Sequence, residues 1–487
     1  MKRRKIKKEG SSTSERLHKS ADTNKSAIKK ALHGSSDLII KESGDYVTFY
    51  IESLVDRQQI RKHILPYLLA EKPDIKPVIY DSAGELETID QAVKKLLSGA
   101  FIWFDINNAK KIYSMEVTKS YDRTVEEPEN EKVIRGSHEG FVESLMININ
   151  LIRKRIEHPS LTVRYSTLGE KSKTKLAVVY MDGLADPDVV ARINKRLADI
   201  SIDMVMSPGF IEEFVEQSAL SPFPQMLNTE RPDRVMAHLM EGRVALVTEG
   251  SPTVLIIPIT FFAFYQSPDD YNSCWISGTY VRLIRIISFI IAVGLPSYYI
   301  SIIGFHFEVI PDDLILPIKG SVTNIAYSPI EEALVMVLTI ELIREAGIRL
   351  PTPIGQTIGI VGGLVIGDAV VQAGLISNLM VIIVALTAIS SFVVPSNEMS
   401  TSLRILTYPM MIMATTFGFV GVTFGFMIMI IHLCKLESFG TPYLAPVAPL
   451  HFKDLKDTFV RLPLWMFNSR PKDAQPQAAK RQSKTSE

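Results

Sequence analysis

From Ile405 to Cys434 the chain runs for thirty residues without an Asp, Glu, Lys or Arg. A helix of that length and purity would be exceptional in a water-soluble core and is ordinary in a bilayer, whose hydrocarbon layer takes about 20 apolar residues to cross. Three other stretches share the character. Ile286 to Phe305 is twenty residues without a charge, with Pro296 as a kink site and Tyr298 and Tyr299 placed for an interface. Ile354 to Met380 is broken by one charge, Asp368, and Leu379 to Val394 is apolar up to Pro395. The second half of the chain is therefore expected to form an α-helical transmembrane bundle, residues 251–435.

The first half reads differently. Residues 1–36 hold eleven Lys and Arg, three Asp and Glu and almost no large apolar side chains, the composition of a disordered basic tail. Its cationic start runs into Ser11, Ser12, Thr13 and Ser14 rather than an apolar stretch, so no cleaved signal is expected and the N-terminal region should stay in the cytosol. Residues 37–250 carry the pattern of an α/β region in two lobes joined near 122–140. Tyr46–Ile51, Phe101–Ile106, Lys111–Val117, Leu161–Thr167 and Lys175–Met181 read as strands, with a hairpin at Asn107-Asn108. Asp56–Ala70, Ile89–Leu97 and Phe141–Ile156 read as helices, and Asp186 or Asp188 caps one running to Ile200. Residues 436–487 form a second basic tail. The fold class is mixed: an α/β soluble region followed by a helical membrane bundle.

Two apolar stretches are ambiguous. Pro252 to Tyr265 is long enough only for a buried or interfacial element. Pro329 to Ile348 carries Glu331, Glu332, Glu341, Arg344 and Glu345, and either crosses inside the bundle, re-enters or lies along the interface. Arg282 and Arg285 place the start of the first span on the cytosolic side. A cytosolic basic C-terminus then needs an even number of crossings, which favours four with Pro329–Ile348 not crossing.

Gly355, Gly359, Gly363 and Gly367 recur every four residues and would share one narrow helix face. Such a face lets helices approach closely, and it also leaves room beside a pore. Asp368 is the one carboxylate in that stretch, with Gln372 a turn further on. A charge in lipid costs at least about 2.5–3.5 kcal/mol, so Asp368 should face protein or water, either as a cation-attracting group or as a paired or protonated acid. Glu341 can pair with Arg344, three residues on, or line an aqueous vestibule. Gly421 and Gly425 repeat the small-residue spacing in the last apolar run.

The nine histidines and two cysteines form no metal-ligand spacing, and neither a Gly-x-Ser-x-Gly elbow nor a phosphate-binding loop is present. No catalytic residue, metal or cofactor is expected, and the chain does not read as an enzyme. The basic N-terminus lacks interleaved aromatics, which argues against nucleic-acid binding.

The run Arg344-Glu345-Ala346-Gly347-Ile348-Arg349-Leu350-Pro351, with Pro353-Ile354-Gly355-Gln356 and Gly359-Ile360-Val361-Gly362-Gly363, resembles the A subunit of the GerA-type spore germinant receptors. Glu126-Glu127-Pro128, Glu230-Arg231-Pro232-Asp233, Glu241-Gly242-Arg243-Val244-Ala245 and Gln266-Ser267-Pro268-Asp269-Asp270-Tyr271 extend the resemblance over about residues 37–460. Val337 stands at a usual Glu position and Asp368 at a usual Gln position. The resemblance implies a multi-pass protein of the inner spore membrane that works with a transporter-like B subunit and a lipoprotein C subunit. It implies a response to small nutrients through an oligomer of this chain in contact with membrane lipid, forming a gated cation pore. The rival readings are a non-conducting scaffold and, less in keeping with the pattern, a secondary transporter. No nutrient-binding residue is implied.

Overall fold

The computed structural model describes residues 17–64, 66, 84–119, 127–323, 325–351, 354–355, 363 and 367–481. These divide into two units, one drawn from Met1–Glu216, Met226–Pro258 and Asn468–Glu487, the other from Gln217–Gln225 and Ile259–Phe467.

In the first unit, Leu38–Ser43 (β1), Tyr46–Ile51 (β2), Gly84–Leu86 (β3), Ala100–Asp105 (β4) and Asn108–Glu116 (β5) make an antiparallel sheet in the order β1-β2-β4-β5-β3. Side chains alternate across a strand, and β2 uses both of its faces. Val47, Phe49 and Ile51 pack with Ile28 and Leu32 of Ala21–Ala31 (α1) and Leu96 of Ile89–Leu97 (α3). Tyr46 and Tyr50 face the other way, toward Trp103, Ile60 and Ile64 beside Arg57–His63 (α2). Asp56 caps α2 by accepting from the Gln58 amide, and Thr88 caps α3 through the Gln91 amide.

Composition placed residues 1–36 in a tail, yet α1 belongs to this core. Ile28 and Leu32 stand one turn apart and are fully buried, and Ala21, Ala27 and Ala31 are small enough to bring the helix against the sheet.

The second lobe repeats the plan. Leu161–Leu168 (β6), Thr174–Met181 (β7), Leu227–Thr229 (β8), Val244–Thr248 (β9) and Val254–Ile257 (β10) pair in the order β6-β7-β9-β10-β8. In both sheets the spatial order is first, second, fourth, fifth, third. Helices fall at matching places too: Leu145–Arg155 (α4) before β6, Pro187–Ala198 (α5) and Pro208–Val215 (α6) between β7 and β8, and Pro232–Leu239 (α7) before β9. The lobes are tied by a buried bidentate pair, Arg153 Nε and Nη2 to Asp37 at 2.6 and 2.8 Å, with Asn150 donating to the Ser53 carbonyl at 2.7 Å. Residues 468–481, assigned by sequence to the C-terminal tail, pack in this unit. Gln477 donates its amide to the Leu184 carbonyl at 2.9 Å and Arg470 donates to the Met240 carbonyl at 2.8 Å.

The second unit is helical: Pro268–Asn272 (α8), Trp275–Phe305 (α9), Asp312–Val322 (α10), Pro329–Arg349 (α11), Gly367–Gln372 (α12), Asn378–Phe392 (α13) and Asn397–Lys435 (α14). Of these, α9 is long and apolar enough to cross a membrane, α14 is so when its whole length is taken as one helix, and α13 is a shorter apolar helix. The ambiguous stretch Pro252–Tyr265 is buried, as β10 and the 3₁₀ turn Phe261–Tyr265.

The apolar run that reads as one span is two rods. Gly418 has φ 61° and ψ −139°, outside the helical region. In an unbroken helix Met410 and Gly425 would stand about 22 Å apart. Here a Cβ added to Gly425 would collide with the Met410 sulfur, and one on Gly421 with the Met413 carbonyl. The chain doubles back at Gly418, with rods 397–417 and 419–435 antiparallel.

Helix α11 lies lengthwise against α13 and not across the bundle. Near its start Glu332 meets Ser377, the N-cap of α13; near its end the Arg344 guanidinium covers the Phe392 ring at 4.5 Å. A Cβ on Gly355 would meet the Gly347 carbonyl at 3.0 Å, and Gly374 accepts from the Ala326 amide at 3.4 Å. Gly355 and Gly374 thus stand at opposite ends of α11, and residues 356–362 and 364–366 lie outside the described residues.

Candidate functional site

Of the four glycines of the expected face, Gly359 lies outside the described residues. Around Gly363 and Gly367 no atom of the described chain stands within 4 Å of an added Cβ. Asp368 and Gln372 are both exposed, one turn apart on α12, and Gln372 Nε2 donates to Asp368 Oδ2 at 2.6 Å. No Lys or Arg pairs with Asp368 among the described residues. Gly421 and Gly425 do pack, against Met413 and Met410 across the Gly418 turn.

Glu341 is held by two arginines. Arg344 Nη1 lies 3.0 Å from Oε2, and Arg404 Nε 2.9 Å from Oε1. The cluster carries a net charge of +1, so Glu341 offers little attraction to a passing cation. It borders a cavity of about 30 Å³ lined by Val337, Thr387, Ser391 and Thr407, room for a single water. Arg404 is the partner that sequence spacing could not supply, being sixty-three residues away.

Glu332 is fully buried. Its Oε2 accepts from the Ser377 amide at 3.1 Å and hydroxyl at 3.0 Å, and the Tyr299 hydroxyl stands 3.0 Å from Ser377 Oγ. Oε1 has no partner. The sequence reading passed over this residue, though a signal existed. Ser328 and Glu331 complete a capping box at the start of α11, which leaves the adjacent Glu332 without a local role.

At the other end of the bundle, Arg282 and Arg285 are buried against Asp270. Arg285 Nη1 reaches both Asp270 oxygens at 2.8 Å, and Arg282 bonds Asp457 Oδ1 at 2.9 Å. Tyr271 donates to Asp457 at 2.9 Å, and Arg282 and Arg461 lie 5.6 and 5.7 Å from its ring centroid. Gly278 admits the Asp270 backbone, which a Cβ would meet at 2.6 Å. These two arginines, taken from sequence as an orienting positive charge, are neutralised by carboxylates.

In the first unit a cavity of about 760 Å³ opens between the lobes, lined among others by Glu52, Arg57, Lys119, Tyr165, Lys175 and Glu249. Burial pushes the Tyr165 hydroxyl well above its ordinary pKa. A second charged cluster surrounds the turn after α7. Burial holds His238 neutral, with its pKa lowered to about 4. Glu241 stays ionised despite burial, because His238, Arg243 and Arg481 lower its pKa to about 2. Arg243 also bonds Asp473 at 2.8 Å and the Pro258 carbonyl at 3.0 Å.

Set beside known proteins, the chain is 40% identical over 431 residues to "Uncharacterized membrane protein YfkQ" of Bacillus subtilis (strain 168), covering 87% of this chain and 84% of that one. It is 45% identical over 349 residues to "Spore germination protein B1" of the same organism, 72% of each chain. The crystal structure of the N-terminal domain of the A subunit of the Bacillus megaterium spore germinant receptor GerK3 is similar at 27% identity. It covers 50% of this chain and 97% of that domain, with a TM-score of 0.40. The family described as "Bacillus/Clostridium GerA spore germination protein" matches residues 26–473. With its relatives matching at this identity along most of their length, the chain belongs to the GerA family of spore germination proteins.

Proposed function

We propose that this chain is the membrane A subunit of a nutrient germinant receptor, and that copies of it assemble into a gated cation-conducting pore. The observation that carries the reading is the exposure of Asp368 and Gln372 on a helical bundle beside Gly367, where no described atom lies within 4 Å of an added Cβ. Facing lipid, a carboxylate would cost at least about 2.5–3.5 kcal/mol. A neighbouring copy against the glycine face, with Asp368 turned toward water, removes that cost.

The described rods α9, α11, α13 and the two of α14 support a multi-pass bundle. The reading places the N-terminal region and the C-terminus on one side, the cytosolic (core) side of the inner spore membrane. The reading includes a transporter-like B subunit and a lipoprotein C subunit as partners. Ligand binding in the complex would shift a closed bundle toward an open one.

A second reading, a non-conducting scaffold, draws on the neutralised Glu341, which leaves the bundle's interior cluster cationic. Conductance of the purified chain in planar bilayers separates the two. Cation-selective current that weakens in Asp368→Asn supports a pore with Asp368 beside it. Unchanged current removes Asp368 from the pathway, and silence from folded, inserted protein with its partner subunits present favours the scaffold.

A further inference from the structure

Leu464, Trp465 and Met466 are 57, 74 and 49% exposed, three consecutive large apolar side chains on a single 3₁₀ turn. In water such a run is a liability, and it calls for a covering surface. Its position says which. Phe467, the next residue, is buried, and Lys456 donates to the Met466 carbonyl at 3.3 Å, so the turn is held with a cation at its rim. Three residues before it, the Arg461 amide and carbonyl both bond the Thr279 hydroxyl, at 3.2 and 3.0 Å. The turn is thereby fixed near the first turns of α9.

The exposed face of α9 changes along its length. Trp275 and Tyr280 are exposed at its start and Tyr298 and Phe305 near its end. The large exposed side chains between them, Val281, Leu283, Ile284, Ile287 and Ile290, are all aliphatic. Eighteen residues from Tyr280 to Tyr298 span about 27 Å of helix. That is close to the roughly 30 Å thickness of a hydrocarbon core, with aromatics at both of its edges.

We propose that the turn Leu464–Met466 is a lipid anchor, seated in the interfacial layer of the bilayer level with Trp275 and Tyr280, with Lys456 toward the phosphates. The proposal rests on reading the second unit as a membrane bundle. It adds to the helices a non-helical element, after the last rod, that grips the same leaflet from its surface.

The test uses the full chain in lipid nanodiscs with Trp103→Phe and Trp275→Phe, leaving Trp465 as the single tryptophan. Phospholipids brominated near the top of the acyl chain should remove most of its emission, and those brominated near the methyl end much less. Acrylamide from the water phase should quench weakly. Strong acrylamide quenching with no response to brominated lipid overturns the anchor and places the turn in water. Emission shielded from both quenchers overturns it in favour of a protein partner or a second copy. Adding Ile290→Trp to a Trp465→Phe version of that chain gives the control. If that tryptophan too ignores brominated lipid, the membrane reading of α9 fails rather than the anchor alone. Should loss of Trp103 impair folding, a nitroxide on Trp465→Cys in a Cys274→Ser, Cys434→Ser chain reads the same question. Collisions with oxygen should then exceed those with a polar nickel chelate, and the reverse order overturns the proposal.

Discussion

The carboxylate of Glu332 on α11 takes both hydrogen bonds that Ser377 can give it, from the amide at 3.1 Å and the hydroxyl at 3.0 Å, at the first turn of α13. A buried acid at a helix N-terminus, with no cation among the described residues, is stabilised by the orphan amides and dipole there. Glu332→Gln keeps an acceptor oxygen in place and should change thermal stability of the solubilised chain little. Glu332→Ala leaves the Ser377 donors unmet and should lower stability by about 1–3 kcal/mol. Equal effects of the two substitutions in a melting series would show that the negative charge, and not the hydrogen bonding, matters.

The hairpin at Gly418 predicts a graded series. Gly421→Ala drives a methyl into the Met413 backbone carbonyl, which cannot rotate away, and should cost about 1–3 kcal/mol or more. Gly425→Ala meets the flexible ends of Met410 and Met413 and should cost less. The fraction of chain recovered as a monodisperse species in mild detergent ranks them, and the opposite ranking would refute the antiparallel packing.

Arg282 is fully buried among Asp270, Asp457 and the Tyr271 ring. Arg282→Ala removes the arginine at Asp457 and one of the two at Asp270, which Arg285 still holds, and should destabilise the bundle by about 3 kcal/mol, the low end for breaking a buried pair. Arg282→Lys keeps the charge but cannot reproduce the fork, so it should fall between wild type and Ala. A chain that tolerates Ala without loss of yield or melting temperature contradicts the network.

Acid should loosen the second lobe before it affects the first. His238 is lowered to about 4 in the folded state, so the unfolded chain binds the proton first. Stability therefore falls as pH drops from about 6.5 toward 4, by on the order of 2–3 kcal/mol. Glu241, lowered to about 2, adds a loss that begins below its ordinary range near 4.5 and is complete only near pH 2. Limited proteolysis around Leu239–Val244 should accelerate across the first window, and His238→Phe should flatten it. An unchanged pH profile in that variant rules out His238 as the cause.

Much of the first unit was legible because its signals are local. The alternation of Tyr46–Ile51, the apolar spacing of Ile89–Leu97 and the cap at Asp186 each appear where the sequence reading placed them. Burial of α1 was missed because two isolated apolar residues fall below any compositional threshold, and only the sheet they meet makes them a core. Hydropathy found the last apolar run but not its turn, since Gly418 announces itself by a backbone angle and not by polarity. The same limit hid Arg404 beside Glu341 and Ser377 beside Glu332. Such contacts join rods far apart in sequence, and periodicity within one helix carries no information about them.

The matching strand order of the two lobes sets a sorting problem for the folding chain, because each strand has a counterpart elsewhere that could accept its backbone. Side-chain bulk answers it. The first sheet packs Phe49 against Phe104, Tyr50 against Phe101 and Trp103 against Tyr113, at 5.5 to 5.9 Å between ring centroids. The second fills the corresponding strands with Val178, Val179, Leu246 and Val247. A strand in the wrong lobe would press an indole into a slot cut for valine, or leave a void where a ring belongs. Two copies of one plan are kept from exchanging parts by the sizes of the residues that fill them.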